Sequence, residues 1–287
     1  MNLYASLGEG AVRLATFAAI FAVMALLELA IPKRKLGHAK GARWFTNIAI
    51  GGLDTLVVRL MALFVVPLAA VSAALWAEAQ GWGLLNWTAL PGWLETLIAL
   101  LVLDLAIYGQ HVASHKVPLF WKLHQMHHSD VDIDVTTAVR FHPIEIGLSM
   151  LWKIVVVLAL GPAAAAVVLF EVILNGCAMF NHANVHLPPA LDGFLRLFVV
   201  TPDFHRVHHS IVHRETDSNY GFNLSVWDRL FDTYVAQPAK GHEGMTIGLQ
   251  EYQSEEPTGL FWSLALPFAR RVRDALAPAR GGGQGEG

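Results

Sequence analysis

Apolar residues in this chain come in long runs, not in the two-residue alternation or the narrow stripe of a water-facing fold. The first run covers residues 11–31 and is closed by Pro32 and the basic cluster Lys33, Arg34 and Lys35. It is long enough to cross about 30 Å of hydrocarbon as a helix. Most of its positive charge follows the run, which predicts an uncleaved anchor with the N-terminus outside. A second run, residues 47–76, is interrupted by Asp54 and Arg59; a third covers residues 93–112. The intervening residues 77–92 hold Trp82 and Trp87 but no Lys or Arg, the mark of an interfacial loop on the non-cytoplasmic side. Residues 143–160 and 163–180 are joined by Gly161-Pro162 and predict a helical hairpin that enters and leaves on one side. Residues 257–276 set Leu260, Phe261, Leu264 and Phe268 against Arg270, Arg271 and Arg273, an interfacial helix broken at Pro267. Residues 281–287 are expected to be a flexible tail. The pattern predicts an all-α, polytopic integral-membrane bundle, a single membrane-embedded domain over residues 1–280, with no repeat of fixed period.

Composition supports the same class. Of 287 residues 54% are hydrophobic and 15% charged, against about 25% charged in soluble domains, and mean hydropathy is +0.45. The net charge of −3 offers no basic face for nucleic acid. The single cysteine, Cys177, can form neither an internal disulfide nor a thiolate cluster, and reads as packing within a span. Lys and Arg concentrate in the loop after the first span and in the stretches between and after the later spans (Lys116, Lys122, Arg140, Arg196, Arg206, Arg214, Arg229). The positive-inside bias therefore puts these regions and the C-terminus in the cytoplasm. Inside the hairpin, Lys153 and Glu171 each lie about 12–14 Å from the Gly161-Pro162 tip at 1.5 Å per residue. Charges at that depth are costly unless paired, so either Lys153 pairs with Glu171, or Lys153 snorkels or faces another span carrying Asp54 or Asp104.

Histidine changes the picture. There are 14, and 12 fall between His111 and His213. His111-x-x-x-His115 ends the third run, and His124-x-x-His127-His128 follows. His182-x-x-x-His186 ends the hairpin, and His205-x-x-His208-His209 follows. Residues i and i+4 of a helix share a face, whereas adjacent residues fan apart by about 100°. The HisHis pairs thus suit two metals close together, one on each side. Ten imidazoles at one face are costly to bury without a partner, and neutral imidazole is a metal ligand. No HExxH, ExxH or cysteine cluster occurs, which removes zinc proteases, carboxylate di-iron bundles and iron–sulfur sites. All-imidazole ligation leaves zinc, copper, nickel or iron. About five ligands for each of two metals would leave an open position, which suits oxygen chemistry on a lipid-like substrate. A metal transporter would instead set ligands along a mid-membrane path, and a structural zinc site would need only four. His38 and His242 read as polar anchors, His213 as a loop histidine, and Asp130, Asp132 and Asp134 as a solvated loop.

Several motifs together resemble the fatty acid hydroxylase/sterol desaturase superfamily: Asp104-x-x-x-Tyr108-x-x-His111-x-x-x-His115, Leu119-Phe120-Trp121-x-x-His124-Gln125-Met126-His127-His128-Ser129, Arg140-Phe141-His142-Pro143-Ile144-Glu145, Asn219-Tyr220-Gly221, and residues 227–234. The likeness runs from about residue 104 to 234. It departs at Gly109 and Val112, where the family often has Trp and Arg, and at Asp232, where Phe-Gly-Thr is usual. The resemblance implies a non-haem di-iron monooxygenase or desaturase that uses O2. It puts metal ligation on His111, His115, His124, His127, His128, His182, His186, His205, His208 and His209. Around them, His142, beside Glu145, is expected to orient a ligand or cap its helix, and Asn219 and Asp228 to hydrogen-bond ligand histidines. The substrate class would be a lipid or sterol-like molecule in a bacterial inner membrane, hydroxylated or, alternatively, desaturated. Either cycle needs two external electrons, and no dinucleotide or haem motif is present. A ferredoxin- or cytochrome-type donor with its reductase is therefore expected, met by Lys116, Lys122, Arg206 and Arg214.

Overall fold

The computed structural model describes residues 3–64, 69–254 and 256–269. Among the described residues, five helices are long and apolar enough to cross a membrane: α1 (Leu3–Ala30), α2 (Lys40–Phe64), α4 (Gly92–Lys116), α6 (Pro143–Leu160) and α7 (Ala164–His182). The second apolar run is not one element. It divides into α2 and a short α3 (Ala70–Ala79), with Pro67 in the interval. Ala70, Ala73 and Ala74 of α3 are buried against Leu103, Ile107, Val157 and Phe170. Small residues let the backbones approach where apolar packing alone gives no preference over lipid. No strand occurs among the described residues, only three isolated bridges.

The ends of the bundle differ. At one end Gly161 closes α6 in the left-handed region (φ 66°), and a Cβ there would come within 2.6 Å of the Trp82 carbonyl oxygen. This contact puts the hairpin tip against the loop of Trp82 and Asn86. At the other end the chain turns sharply. Pro118 holds Val117 extended, ending α4, and opens α5 (Pro118–His128) as its first residue. Helix α7 stops at His182 because Ala183 is extended. Helices α8 (Pro189–Leu195) and α9 (Pro202–His208) follow, the latter capped by the Thr201 side chain on Phe204 N–H. Of the interfacial segment, residues 257–269 fall within the described residues, with a helix at Leu260–Ala265 and a 3-10 turn at Leu266–Phe268. Residues 270–276 and the 281–287 tail lie outside them.

The stretch between α5 and α6 is not a solvated loop. Asp130, Asp132 and Asp134 are buried because Arg43 of α2 reaches them, 2.7 Å to Asp130 and 2.8 Å to Asp134. Burial alone would raise the Asp130 carboxyl, but Arg43 and then Arg140 bring it down to about 2. Arg140 also bonds Asn47 at 2.8 Å. Glu28 of α1 accepts from the backbone N–H groups of Val135 and Asn184 at 2.7 and 2.8 Å. The segment is thereby tied to two long helices. His242 is buried beside Asp203, and His38 faces Asp132, so both do more than anchor at an interface.

Candidate metal centre

Nine of the ten expected ligands meet at the α4–α5–α7–α9 end. They fall into two groups, each with its nitrogen atoms within 4.8 Å of one another: His111, His115, His124, His128 and His208; and His127, His182, His205 and His209. Helical spacing accounts for the sorting. His111 and His115 share one face of α4, and His124 and His128 one face of α5. His205 and His209 are likewise four apart. Adjacent residues fan outward, so His127 and His128 part into different groups, and so do His208 and His209. His128 lies 4.6 Å, ring to ring, from both His208 and His209, which makes the groups immediate neighbours.

His186 does not join them. The end of α7 at His182 breaks the i, i+4 relation, and His186 is exposed on the extended chain beyond, its N–H bonded to the Ile31 carbonyl.

The rings are held from behind. His111 Nδ1 donates to the Tyr220 carbonyl (2.8 Å), His127 to Arg140 (3.2 Å), His182 to Ala178 (2.7 Å) and His208 to Ser218 (2.7 Å). His124 Nδ1 meets the Glu145 carboxylate at 2.7 Å. Each bond fixes the tautomer that leaves a lone pair on Nε2. The Nε2 atoms of these rings and of their neighbours His205 and His209 converge. His182 Nε2 lies 3.2 Å from His127 Nε2 and 3.1 Å from His205 Nε2, and His205 Nε2 lies 3.2 Å from His209 Nε2. In the first group, Nε2 of His115, His124, His128 and His208 is buried with no hydrogen-bond partner. Converging acceptors repel unless a cation sits among them, and nitrogens bound side by side on one ion with ~2.1 Å bonds are about 3 Å apart. The donor set fits metal ions. Burial first, and neighbouring imidazoles after it, push His127, His128, His205 and His209 well below the ordinary histidine range; burial pushes His208 down to about 3. All are neutral at physiological pH, the form that ligates.

The surrounding residues have separate tasks. His142 caps α6, accepting from Ile144 N–H at 3.2 Å, and touches no ligand ring in a hydrogen bond. Asp228 accepts from Tyr220 and Gly221 N–H at 2.7 and 2.6 Å, setting the carbonyl that orients His111. Asn219 bonds the Phe204 carbonyl and both backbone groups of Val235, so it acts on the backbone before His205. Tyr220, Ser218 and Arg140 contribute through carbonyl oxygens. A main-chain acceptor has no residue-type signature, and sequence spacing offered no sign of them. Arg206 is buried against Asp203 and is no surface cation.

A helical bundle with five helices apolar enough to span a membrane, whose one end gathers nine imidazoles into two adjoining groups, defines the class: an integral-membrane helical protein with a candidate metal site. Residues 96–233, just under half of the chain, match the family model of the fatty acid hydroxylases, and this region is similar to that family. Among relatives, ornithine lipid hydroxylase OlsE of Rhizobium tropici is 25% identical over 89% of this chain and 75% of its own length. Alkylglycerol monooxygenases of Homo sapiens and Danio rerio are 31% and 32% identical over about half of this chain. The matched part is about a third of their length. No solved structure matches.

Proposed function

We propose that the chain is an O2-dependent di-iron oxidoreductase that hydroxylates an aliphatic C–H bond of a lipid, with residues 1–280 as one catalytic domain. The observation that carries this reading is the convergence of nine imidazoles on two adjoining points. His111, His115, His124, His128 and His208 would hold one iron; His127, His182, His205 and His209 would hold the other. Iron in such a site supplies the redox chemistry that activates O2. The chain does the rest. The Tyr220, Arg140, Ala178 and Ser218 carbonyls and Glu145 orient the rings. A cavity of about 820 Å³ borders His115 and Trp121 beside the first group, lined by Ile211, Trp262 and Leu266 together with polar residues such as His213, Asp217 and Gln250. The names of the relatives, a lipid hydroxylase and monooxygenases, support hydroxylation.

The reaction balances as RH + O2 + 2e⁻ + 2H⁺ → ROH + H2O. Two electrons come from outside, from a ferredoxin- or cytochrome-type donor with its reductase docking at the histidine end. Lys122 and Arg214 are exposed there, and Lys116 is shared with Asp217. In a bacterial inner membrane this end and the C-terminus would face the cytoplasm. Lipid profiling of cells with and without the gene under 18O2 tests the reading. An 18O-labelled hydroxylipid is expected. An unsaturated product without label would assign desaturation, and an unchanged lipid profile would reject both.

A further inference from the structure

Around the histidine end, part of the surface outside the five long helices has apolar groups where a water-facing surface has charged ones. Leu191, Phe194, Leu197 and Phe198, on α8 and just after it, are 44–60% exposed, and Leu230 and Phe231 are 65% and 51% exposed. Three of the four charges of the same stretches point inward, and the fourth, Arg229, is exposed. Asp192 and Arg196 are buried and paired with each other, and Asp228 is fully buried beneath Tyr220 and Gly221. An amphipathic element that faces water has the opposite arrangement.

The two stretches form one surface. Ser225 N–H donates to the Phe198 carbonyl at 3.2 Å, and the Ser225 hydroxyl and Arg229 each donate to the Arg196 carbonyl at 2.7 Å. Phe194 and Phe198 rings meet at 5.7 Å. At the rim, the Arg229 guanidinium lies 4.5 Å over the Tyr234 ring, as an interfacial cation does. The depth of this surface follows from α4. Phe231 stacks on Tyr108 at 5.4 Å. Tyr108 lies eight residues before the end of α4 at Lys116, about 12 Å back along the helix at 1.5 Å per residue. The apolar surface therefore runs alongside the spanning part of α4 and continues its lipid-facing side, instead of standing above it in water.

We infer that α8 and the 226–231 segment form an apron immersed in the bilayer, seated among the acyl chains and headgroups of the leaflet on the histidine side. The occupant is lipid, because the patch runs beside a spanning helix and the exposed charges next to it, Arg229 and Asp232, flank the Leu230–Phe231 pair as headgroup-facing residues would. Site-directed spin labelling tests this without turnover. The single cysteine allows a Cys177→Ser background. Phe194→Cys, Phe198→Cys and Leu230→Cys are then labelled in the full chain in nanodiscs of zwitterionic and anionic phospholipid. Leu101→Cys on α4 serves as the hydrocarbon reference and Lys35→Cys as the aqueous one. Apron labels are expected to collide with O2 and exclude a water-soluble nickel complex, as at Leu101. Nickel accessibility like that at Lys35 overturns the inference. So does exclusion of both reagents that is relieved when discs hold one copy each, which would make the surface a contact between copies. Should a cysteine variant fail to fold, Phe194→Trp with bromolipids provides the same readout: added emission quenched by the lipid is expected, and unquenched emission rejects the apron.

Discussion

Asp232 sits at a φ of 57°, a left-handed conformation that costs an L-residue with a Cβ more than it costs glycine. The motif it belongs to usually has Gly here, so the departure seen in the sequence falls on a backbone position with a steric reason. Asp232→Gly is expected to raise unfolding stability by up to about 1 kcal/mol without changing metal content; a fall in the thermal midpoint would contradict it. His242 gives a pH prediction. Burial first lowers its pKa, Asp203 opposes, and Arg206 adds to the lowering, leaving it at about 4. The folded-state value lies below the unfolded one, so the neutral ring is the form that fits. Its contribution is full above about pH 6.5 and is lost as the pH falls towards 4. Partial solvent contact reduces the effect to on the order of 2 kcal/mol. Thermal unfolding from pH 7 to 4.5 should decline less in His242→Gln than in the wild type, and parallel declines would refute the assignment. His242 had the look of a surface anchor in sequence because its neighbours Asp203 and Lys33 come from remote segments.

At the scale of elements, what the sequence showed and what it hid divide at helix ends. The i, i+4 and adjacent spacings within α4 and α5 and around α9 sort eight histidines into two groups, and that sorting can be read directly from the residue numbers. The ninth and tenth, His182 and His186, have the same spacing, but α7 ends between them, and nothing in Ala183-Asn184-Val185 announces the stop. His186→Ala should therefore retain metal, whereas His182→Ala should lose about half of it by elemental analysis. Equal loss would bring His186 into the centre. The α5–α6 connection was unreadable for a related reason. Three aspartates in five residues look solvated until Arg43, nearly ninety positions earlier, is brought against them. Glu145 is legible only through its motif, and its geometry gives it a measurable task. Removing the carboxylate in Glu145→Ala frees the His124 ring and should weaken metal binding 10–100-fold. Competition with a chelator measures this, and unchanged affinity would show that the 2.7 Å contact does not orient the ligand.

For the molecule as a whole, the bundle has to hold α1 and the hairpin together within lipid, where apolar surface gives no preference for protein over acyl chain. Charge supplies it. Glu171 of α7 accepts from Lys153 of α6 at 3.1 Å and from Arg13 of α1, so one carboxylate links three helices. Hairpin geometry was enough to pair Lys153 with Glu171, both being about equally far from the tip, but Arg13 was invisible in sequence because nothing fixes the height of α1 against α7. The three charges are unequal in consequence. Glu171→Gln leaves two cations facing a neutral group in a low-dielectric setting, and breaking a buried pair from one side costs about 3–5 kcal/mol. Lys153→Met leaves Glu171 still bound by Arg13 and should cost clearly less. In the double variant the lysine is already gone, so the glutamate change should cost less than it does alone. The order of thermal midpoints in detergent is therefore expected to be wild type, Lys153→Met, then Glu171→Gln, with a non-additive double variant. If Glu171→Gln is as stable as the wild type, the carboxylate is not what fastens α1 to the hairpin, and packing along α1 and α7 would have to hold them.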